Sequence, residues 1–410
     1  MALARSPLAP EAFPAIPPVA GVRLAAGAAG IRYRGRNDVA LVALDPGTTV
    51  AGVFTRNAVP GHPIGWCRRC LAGGQARALI VNAGNANVLN GQAGDQAVRV
   101  EAEAVAERLG CAPEEVFIAS TGVIGELLEP ARITDLLPEL TARLDPAGFE
   151  SAAGAIRTTD TFPKGSFARA EIDGVPVTVA GIAKGSGMIQ PDMATMLAFV
   201  FTDARVPAAV LQGLLDEAHG STFGATTVDS DTSTSDTLLL FATGRAANRP
   251  PESPGDSTLA GFRAALLEVL GDLARQVVRD GEGARKFITI RVAGAVDDAS
   301  ARRIGLAVAN SPLVKTAIAG EDANWGRVAM AVGKAREPIV LERLSIAFGG
   351  HRLAEAGARV PGLDEAPVAA HLEGREILIE IGVGDGPGEA TVWTCDLTEG
   401  YIRINADYRS

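Results

Sequence analysis

The chain has 410 residues, 47% of them hydrophobic and 21% charged, which excludes the low-hydrophobicity signature of disorder; its length exceeds what one core usually fills, so two or three packed units are expected. A formal net charge of −10 without clustered Lys or Arg argues against a nucleic-acid partner, and the pairs Arg68-Arg69 and Arg302-Arg303 read as solvated surface. No run of 18 or more apolar residues is present to span a membrane, and the Pro-broken residues 1–10, followed by Glu11, do not suit a secretory segment, so a cytoplasmic protein with no membrane partner is expected.

In chain order, residues 39–44 and 78–82 read as short buried strands, residues 92–110 as a helix closed by Gly110, and residues 116–121 as a strand that ends on Thr121-Gly122. Residues 167–180 read as a hairpin turning at Asp173-Gly174. A strand over residues 196–201 and a helix over 207–219 follow, then a Pro-rich surface loop at 248–255 and a long helix over 259–279. The pattern restarts at Phe287 with a strand, helical residues 311–332, and strands over 339–348, 376–383 and 390–396, so a domain boundary is placed near residue 285. Residues 401–405 also read as a strand.

The four cysteines, at 67, 70, 111 and 395, are too sparse for a disulfide scaffold. Trp66-Cys-Arg-Arg-Cys70 resembles a redox motif only superficially, and zinc would need a second Cys/His pair nearby. The acidic spacing Asp229, Asp231, Asp236 lacks the Gly and Glu of a calcium loop, and residues 226–237 read as a hydrogen-bonded structural loop. No metal site is expected.

The most informative stretch is Lys184-Gly-Ser-Gly-Met-Ile-Gln-Pro-Asp-Met-Ala-Thr-Met-Leu197, a Gly-rich lead joined to an apolar run at Ala194-Thr195. A hydroxyl at the head of such a run, behind small residues that permit unusual backbone angles, can attack its own preceding carbonyl and become a new chain start. An N-terminal Thr195 would carry nucleophile and base together, because an α-amine titrates near ~7.7 to 8. That suits a chain whose four histidines, 62, 219, 351 and 371, lie in no triad context. The competing readings are a Gly-rich turn entering a core strand and a phosphate cradle; the cradle lacks the Gly-Lys-Ser/Thr spacing.

This segment closely resembles the cleavage site of the arginine-biosynthesis glutamate/ornithine acetyltransferase family. The resemblance extends through Asn82-Ala-Gly-Asn-Ala-Asn87, Ser120-Thr-Gly-Val-Ile-Gly125, Thr158-Thr-Asp-Thr161, Asp280-Gly-Glu-Gly283 and Asp322-Ala-Asn-Trp-Gly-Arg327 to the last six residues. It implies an α+β fold, a layered αββα sandwich of the N-terminal-nucleophile type over residues 1–284, with a smaller C-terminal α/β domain over 285–410. It implies cleavage into chains 1–194 and 195–410, assembled as a heterotetramer of two of each. The implied activity is transfer of an acetyl group from N-acetylornithine to glutamate through an acetyl-Thr195 intermediate. No cofactor is implied, and acetyl-CoA stays open as a co-substrate.

By the same resemblance Thr121 and Gly122 form the oxyanion hole, and Thr158, Lys184, Thr195, Glu282, Asn405 and Ser410 contact substrate. Without it, Thr121-Gly122 reads as a turn, Lys184 as a solvated loop lysine and Glu282 as part of a helix stop. The chain departs from the family pattern at Asp192, Ser230, Ser235 and Arg285, none of them a proposed catalytic group. Two rivals stand beside this reading: an aminopeptidase or amidase of the same fold, in which water resolves the ester, and an amino-acid sensor that kept the pocket.

Overall fold

Period-2 alternation along buried strands builds the larger unit of the protein. The computed structural model describes residues 4–190 and 196–406. The chain runs through β1 (Val22–Gly27), β2 (Val39–Phe54), α1 (His62–Leu71), β3 (Gln75–Asn85), α2 (Gly91–Leu109) and β4 (Val116–Val123). Three short helices follow, α3 (Pro130–Thr134), α4 (Leu137–Ala142) and α5 (Phe149–Ala155), then the hairpin β5 (Lys164–Ile172) and β6 (Val175–Lys184). The unit is completed by β7 (Leu197–Thr202), α6 (Ala208–Gly220), β8 (Thr237–Ala242) and α7 (Ala260–Arg279). The strands are ordered β4-β3-β2-β8-β7-β6-β5, with β1 paired to β2.

The long strand β2 serves two layers. Its first half pairs with β1 and β3; after an irregularity between Ala43 and Thr48, residues Thr49 to Phe54 pair with β8. A bulge bends a strand, and here Gly47 takes a φ of +84° beside Pro46. Ala40, Val42, Leu79, Val81, Phe117 and Ala119 then share one interior with Phe199, Phe201, Leu239 and Phe241. Phe201 stacks on Phe241 at 5.4 Å and Phe117 meets Phe241 edge-on at 6.0 Å, joining the two strand layers. The alternate residues Val39, Leu41, Ile80 and Ile118 face α2, α3 and α4, while Val200, Leu238 and Leu240 face α6 and α7. The layers therefore stack helix, strand, strand, helix: the α+β sandwich expected.

Phe287 opens a second sheet of six strands: β9 (Phe287–Ala295), β10 (Ser345–Phe348), β11 (His351–Glu355), β12 (Ala358–Arg359), β13 (Glu376–Gly382) and β14 (Gly388–Cys395), ordered β12-β11-β10-β13-β9-β14. Helices α8 (Asp298–Ala309), α9 (Pro312–Ala319), α10 (Trp325–Lys334) and α11 (Ala366–Glu373) close its core. A bridge between Thr226 and Trp393 ties this smaller α/β unit to the larger one. Among the described residues no helix is long and apolar enough to cross a membrane.

Gly110 caps α2 with a φ of +65°, and Asp173 and Gly174 take +54° and +75°, the mirror-type turn of a two-residue hairpin. Two local expectations fail. Residues 401–405 belong to the helix α12 (Glu399–Ala406), in which the Asn405 side-chain amide donates to the Tyr401 carbonyl one turn earlier and to Glu282. Between 339 and 348 only Ser345–Phe348 is strand; Leu341–Arg343 tightens into a 3₁₀ turn.

On α2, Glu101 points into the apolar interior, 1% exposed, with Oε1 unpartnered among the described residues. Burial pushes its carboxyl up to about 8. Above ~4.3 the unfolded chain loses this proton while the folded chain keeps it, so stability falls by ~1.4 kcal/mol per pH unit, and by roughly 3 to 4 kcal/mol in all at pH 7. Glu101→Gln, which cannot ionise, is expected to raise the calorimetric midpoint at pH 7 and leave it nearly unchanged at pH 4. An equal shift at both pH values would trace the effect to packing instead.

Candidate active site

Strand ends from the two layers meet at one place. β4 delivers Thr121 and Gly122, β6 delivers Lys184, and the Lys184 Nζ donates to Thr121 Oγ1 at 3.3 Å, both side chains being buried. Lys184 is thus no solvated loop lysine. Burial pulls its pKa down, with the Asp160 carboxylate opposing. Gly122 has a φ of +135°, and a Cβ there would lie 2.3 Å from the carbonyl carbon of Gly84 on β3. Gly122→Ala must therefore part β3 from β4 and displace Thr121. With Thr121 and Gly122 as the oxyanion donors the family resemblance implies, turnover is expected to fall at least ~100-fold in a steady-state acetyl-transfer assay.

Beyond Lys184 the chain is fixed by a buried ionic cluster. Asp160 Oδ1 accepts from Gly185 N at 2.7 Å and from Lys164 Nζ at 2.7 Å, and its Oδ2 accepts from Thr158 N at 3.1 Å. Lys164 Nζ also donates to Asp280 Oδ2 at 2.6 Å, and Asp280 accepts from Thr161 N at 2.9 Å. The three charged side chains are fully buried. Burial alone would raise the Asp160 pKa; the Lys164 and Lys184 ammoniums overturn that and hold the carboxyl below the usual carboxylate range. The paired carboxylates keep Lys164 charged against its own burial.

Glu282 closes the other side. Its backbone N donates to Ser186 O at 2.9 Å, the Ser186 and Thr159 hydroxyls share a hydrogen bond at 2.6 Å, and Asn405 Nδ2 donates to Glu282 Oε2 at 2.7 Å. A Cβ on Gly187 would lie 2.5 Å from the Glu282 carboxyl, so glycine is what admits the acid there. Burial raises the Glu282 pKa, opposed by hydrogen bonds from Thr159 and Asn405.

Residues 188–190 are clamped by Asp229, which accepts from Met188 N at 2.6 Å and Ile189 N at 2.8 Å, by Thr227 Oγ1 on Ile189 O at 2.9 Å, and by Asn310 on Gln190 at 2.9 Å. The loop over 226–237 supplies two of these three clamps. On the far side, Met196 N donates to Asp236 Oδ1 at 3.0 Å.

Thr121, Gly122, Thr158, Lys184, Glu282 and Asn405 are thus linked through residues 184–187, whereas Ala194, Thr195, Asp192 and Ser410 lie outside the described residues. The arrangement presents a buried ammonium and a buried carboxyl on either side of a short backbone segment, suited to a ligand bearing both charges. Sequence reasoning missed Asp160 and Lys164, whereas Asp229 and Asp236 belong to the loop it read as hydrogen-bonded and structural. The only sequence signal was a lone lysine, Lys164, at the head of the apolar strand β5 with Asp160 four residues before it; the third member, Asp280, lies 116 residues further on.

The family model of ArgJ matches residues 23–410. The arginine biosynthesis bifunctional protein ArgJ of Gluconobacter oxydans is 56% identical over 405 residues, covering 99% of this chain and 95% of its own length. The protein of the same name from Brucella suis is 54% identical over 413 residues, covering 100% of both. The crystal structure of an arginine biosynthesis bifunctional protein from Bacillus halodurans is 39% identical over 51% of this chain and 97% of that one, with a TM-score of 0.49. Matched by that family model over nearly its whole length, and more than half identical to the Gluconobacter oxydans and Brucella suis proteins over 99% or more of its length, the chain belongs to the ArgJ family.

Proposed function

We propose that this chain is a self-processing acetyltransferase of arginine biosynthesis that moves an acetyl group from N-acetylornithine to glutamate. The observation that carries the reading is the gathering of Thr121, Lys184 and Glu282 around residues 184–187, directly upstream of Ala194-Thr195. Cleavage between Ala194 and Thr195 yields chains 1–194 and 195–410. The freed Thr195 amine takes the proton of its own hydroxyl, and Oγ1 attacks the acetyl carbonyl. The Thr121 hydroxyl and the Gly122 N–H hold the oxyanion, each such donor contributing ~2.7 to 4 kcal/mol. The amide C–N bond then breaks, ornithine leaves with the proton, and acetyl-Thr195 remains. The glutamate amine attacks that ester and restores Thr195.

Lys184 pairs the substrate carboxylate and Glu282 an ammonium of ornithine, while Thr158, Asn405 and Ser410 complete the pocket. Two copies of each chain assemble as a heterotetramer in the cytoplasm. Acetyl-CoA serves as a second acetyl donor to glutamate, and neither metal nor another cofactor takes part. Intact mass of the purified protein, combined with assays of N-acetylornithine plus glutamate against acetyl-CoA plus glutamate, tests processing and donor together. Two chains and N-acetylglutamate from both donors are expected. Free acetate in place of N-acetylglutamate would make the protein a hydrolase, and one full-length chain that binds without turnover would make it a sensor.

A further inference from the structure

Donor and acceptor of the proposed transfer differ in the sign of one charge. Ornithine ends its side chain in an ammonium and glutamate in a carboxylate, while both present the same α-carboxylate and the same α-nitrogen to the acetyl carrier. A site that holds this shared end in one place needs a separate counter-charge for each side chain. Glu282 suits the ammonium. A second carboxylate beside it would face a buried acid, and like charges brought together in a binding site are strongly disfavoured.

Cations without a task lie in the loop between β1 and β2. Asp38 accepts from Ala29 N at 2.7 Å and from Ile31 N at 2.8 Å, which turns this loop back over the ends of β3 and β4. A Cβ on Gly84 of β3 would lie 2.8 Å from Arg32 Cβ and 3.5 Å from the Tyr33 ring, and Gly84 pairs with Gly122 of β4. The Arg36 guanidinium stacks on Tyr33, 3.7 Å from the ring centroid, and its Nη2 donates to the carbonyl of Arg157, the residue before Thr158. Through Tyr33 it borders the Gly84–Gly122 pair, and through Arg157 it borders Thr158. Its Nε is buried without a hydrogen-bond partner, and no carboxylate lies within ion-pair distance of Arg36, both among the described residues. Asp38 is committed to the loop backbone, and Asp160 to Lys164 and Gly185. Burial pulls the Arg36 pKa down and the Arg157 charge adds to that pull, with Tyr33, Asp160 and Asp38 opposing. Arginine is rarely buried without a partner, and its planar fork matches a carboxylate bidentately.

We propose that Arg36 receives the side-chain carboxylate of the acceptor glutamate, giving the site a cationic lobe for the amino acid that takes the acetyl group and an acidic lobe at Glu282 for the one that gives it. This assignment rests on the acetyl transfer proposed above. The donor half-reaction makes no call on Arg36; the acceptor half-reaction depends on it for binding.

The full-length protein is assayed one half-reaction at a time. In Arg36→Met, release of ornithine from N-acetylornithine should keep its wild-type rate and KM, while the KM for glutamate rises ~10- to 100-fold, the range for a lost hydrogen bond to a charged group. Arg36→Lys keeps the charge and should restore part of that affinity. Glutamine, the neutral isostere, supplies a readout that a merely structural role would not move: the wild-type preference for glutamate over glutamine should shrink at least ~10-fold in Arg36→Met. An unchanged KM for glutamate in Arg36→Met, a fall in ornithine release alongside it, or a wild-type enzyme that takes glutamine as readily as glutamate would overturn the assignment. So would a KM that rises for acetyl-CoA alone, which would give Arg36 to a phosphate. Wild-type protein that releases ornithine yet makes no N-acetylglutamate would instead overturn the transfer itself.

Discussion

Thr195→Ala is expected to give a single uncleaved chain with acetyl transfer reduced on the order of 10⁴-fold or more. The size of the effect follows from the number of functions lost at once. The alcohol that would break the backbone is the one that later carries the acetyl group, and without cleavage no free α-amine exists to act as base. In the proposed mechanism the donors on β4 and the charges of Lys184 and Glu282 are untouched by this change, so affinity for N-acetylornithine by calorimetry should survive while turnover does not. Thr195→Ser keeps a hydroxyl at the same carbon and should be cleaved and active at a reduced rate. A cleaved and active alanine variant would end the proposed mechanism.

Lys164→Met should be the most destabilising single change near the site. It removes the cation between Asp160 and Asp280 and leaves two fully buried carboxyls facing each other, with only the more distant Lys184 charge still acting on Asp160. Breaking a buried pair in this way costs ~3 to 5 kcal/mol. For Asp160 the sign of the pH response also inverts. In the native protein Asp160 is held below its ordinary value, so its pairing survives down to low pH. In the variant Asp160 rises above its unfolded value and Asp280, already raised by burial, rises further, so the folded state binds more protons than the unfolded one and stability falls as pH rises. Urea midpoints at pH 5 and pH 8 read this directly: the loss relative to wild type should be larger at pH 8. A smaller loss at pH 8 would mean that the cluster does not hold its charges as described.

How much of this was legible in the sequence depended on whether the cause was local. The turn at Asp173-Gly174 and the end of α2 at Gly110 are set by residues that alone tolerate the required φ, so both were readable. The bend in β2 was not. Asp45-Pro-Gly47 reads as the end of a strand, yet pairing with β8 carries the strand on to Phe54, which is tertiary context overriding a local signal. At the site, Thr121 and Lys184 are 63 residues apart and Lys164 and Asp280 are 116 apart, so spacing alone could not bring them together. Thr121, Lys184 and Glu282 were singled out through resemblance to a family, and the cluster behind them, which no local pattern announces, was missed. The helix at 399–406 shows the opposite error: alternating Ile402 and Ile404 mimic a strand, yet among the described residues the segment joins no sheet and coils as α12.

The order of the larger sheet has a consequence for a molecule cut before residue 195. Strands β7 and β8 would then belong to the second fragment and their neighbours β6 and β2 to the first, so each fragment supplies strands that complete the other's ladder. Nicking such a weave would free an end without freeing a piece. The halves would stay locked under native conditions, come apart only when the whole sheet melts, and refold from separated halves at a rate that depends on their concentration, so that synthesis as one polypeptide becomes the practical route to the assembled protein.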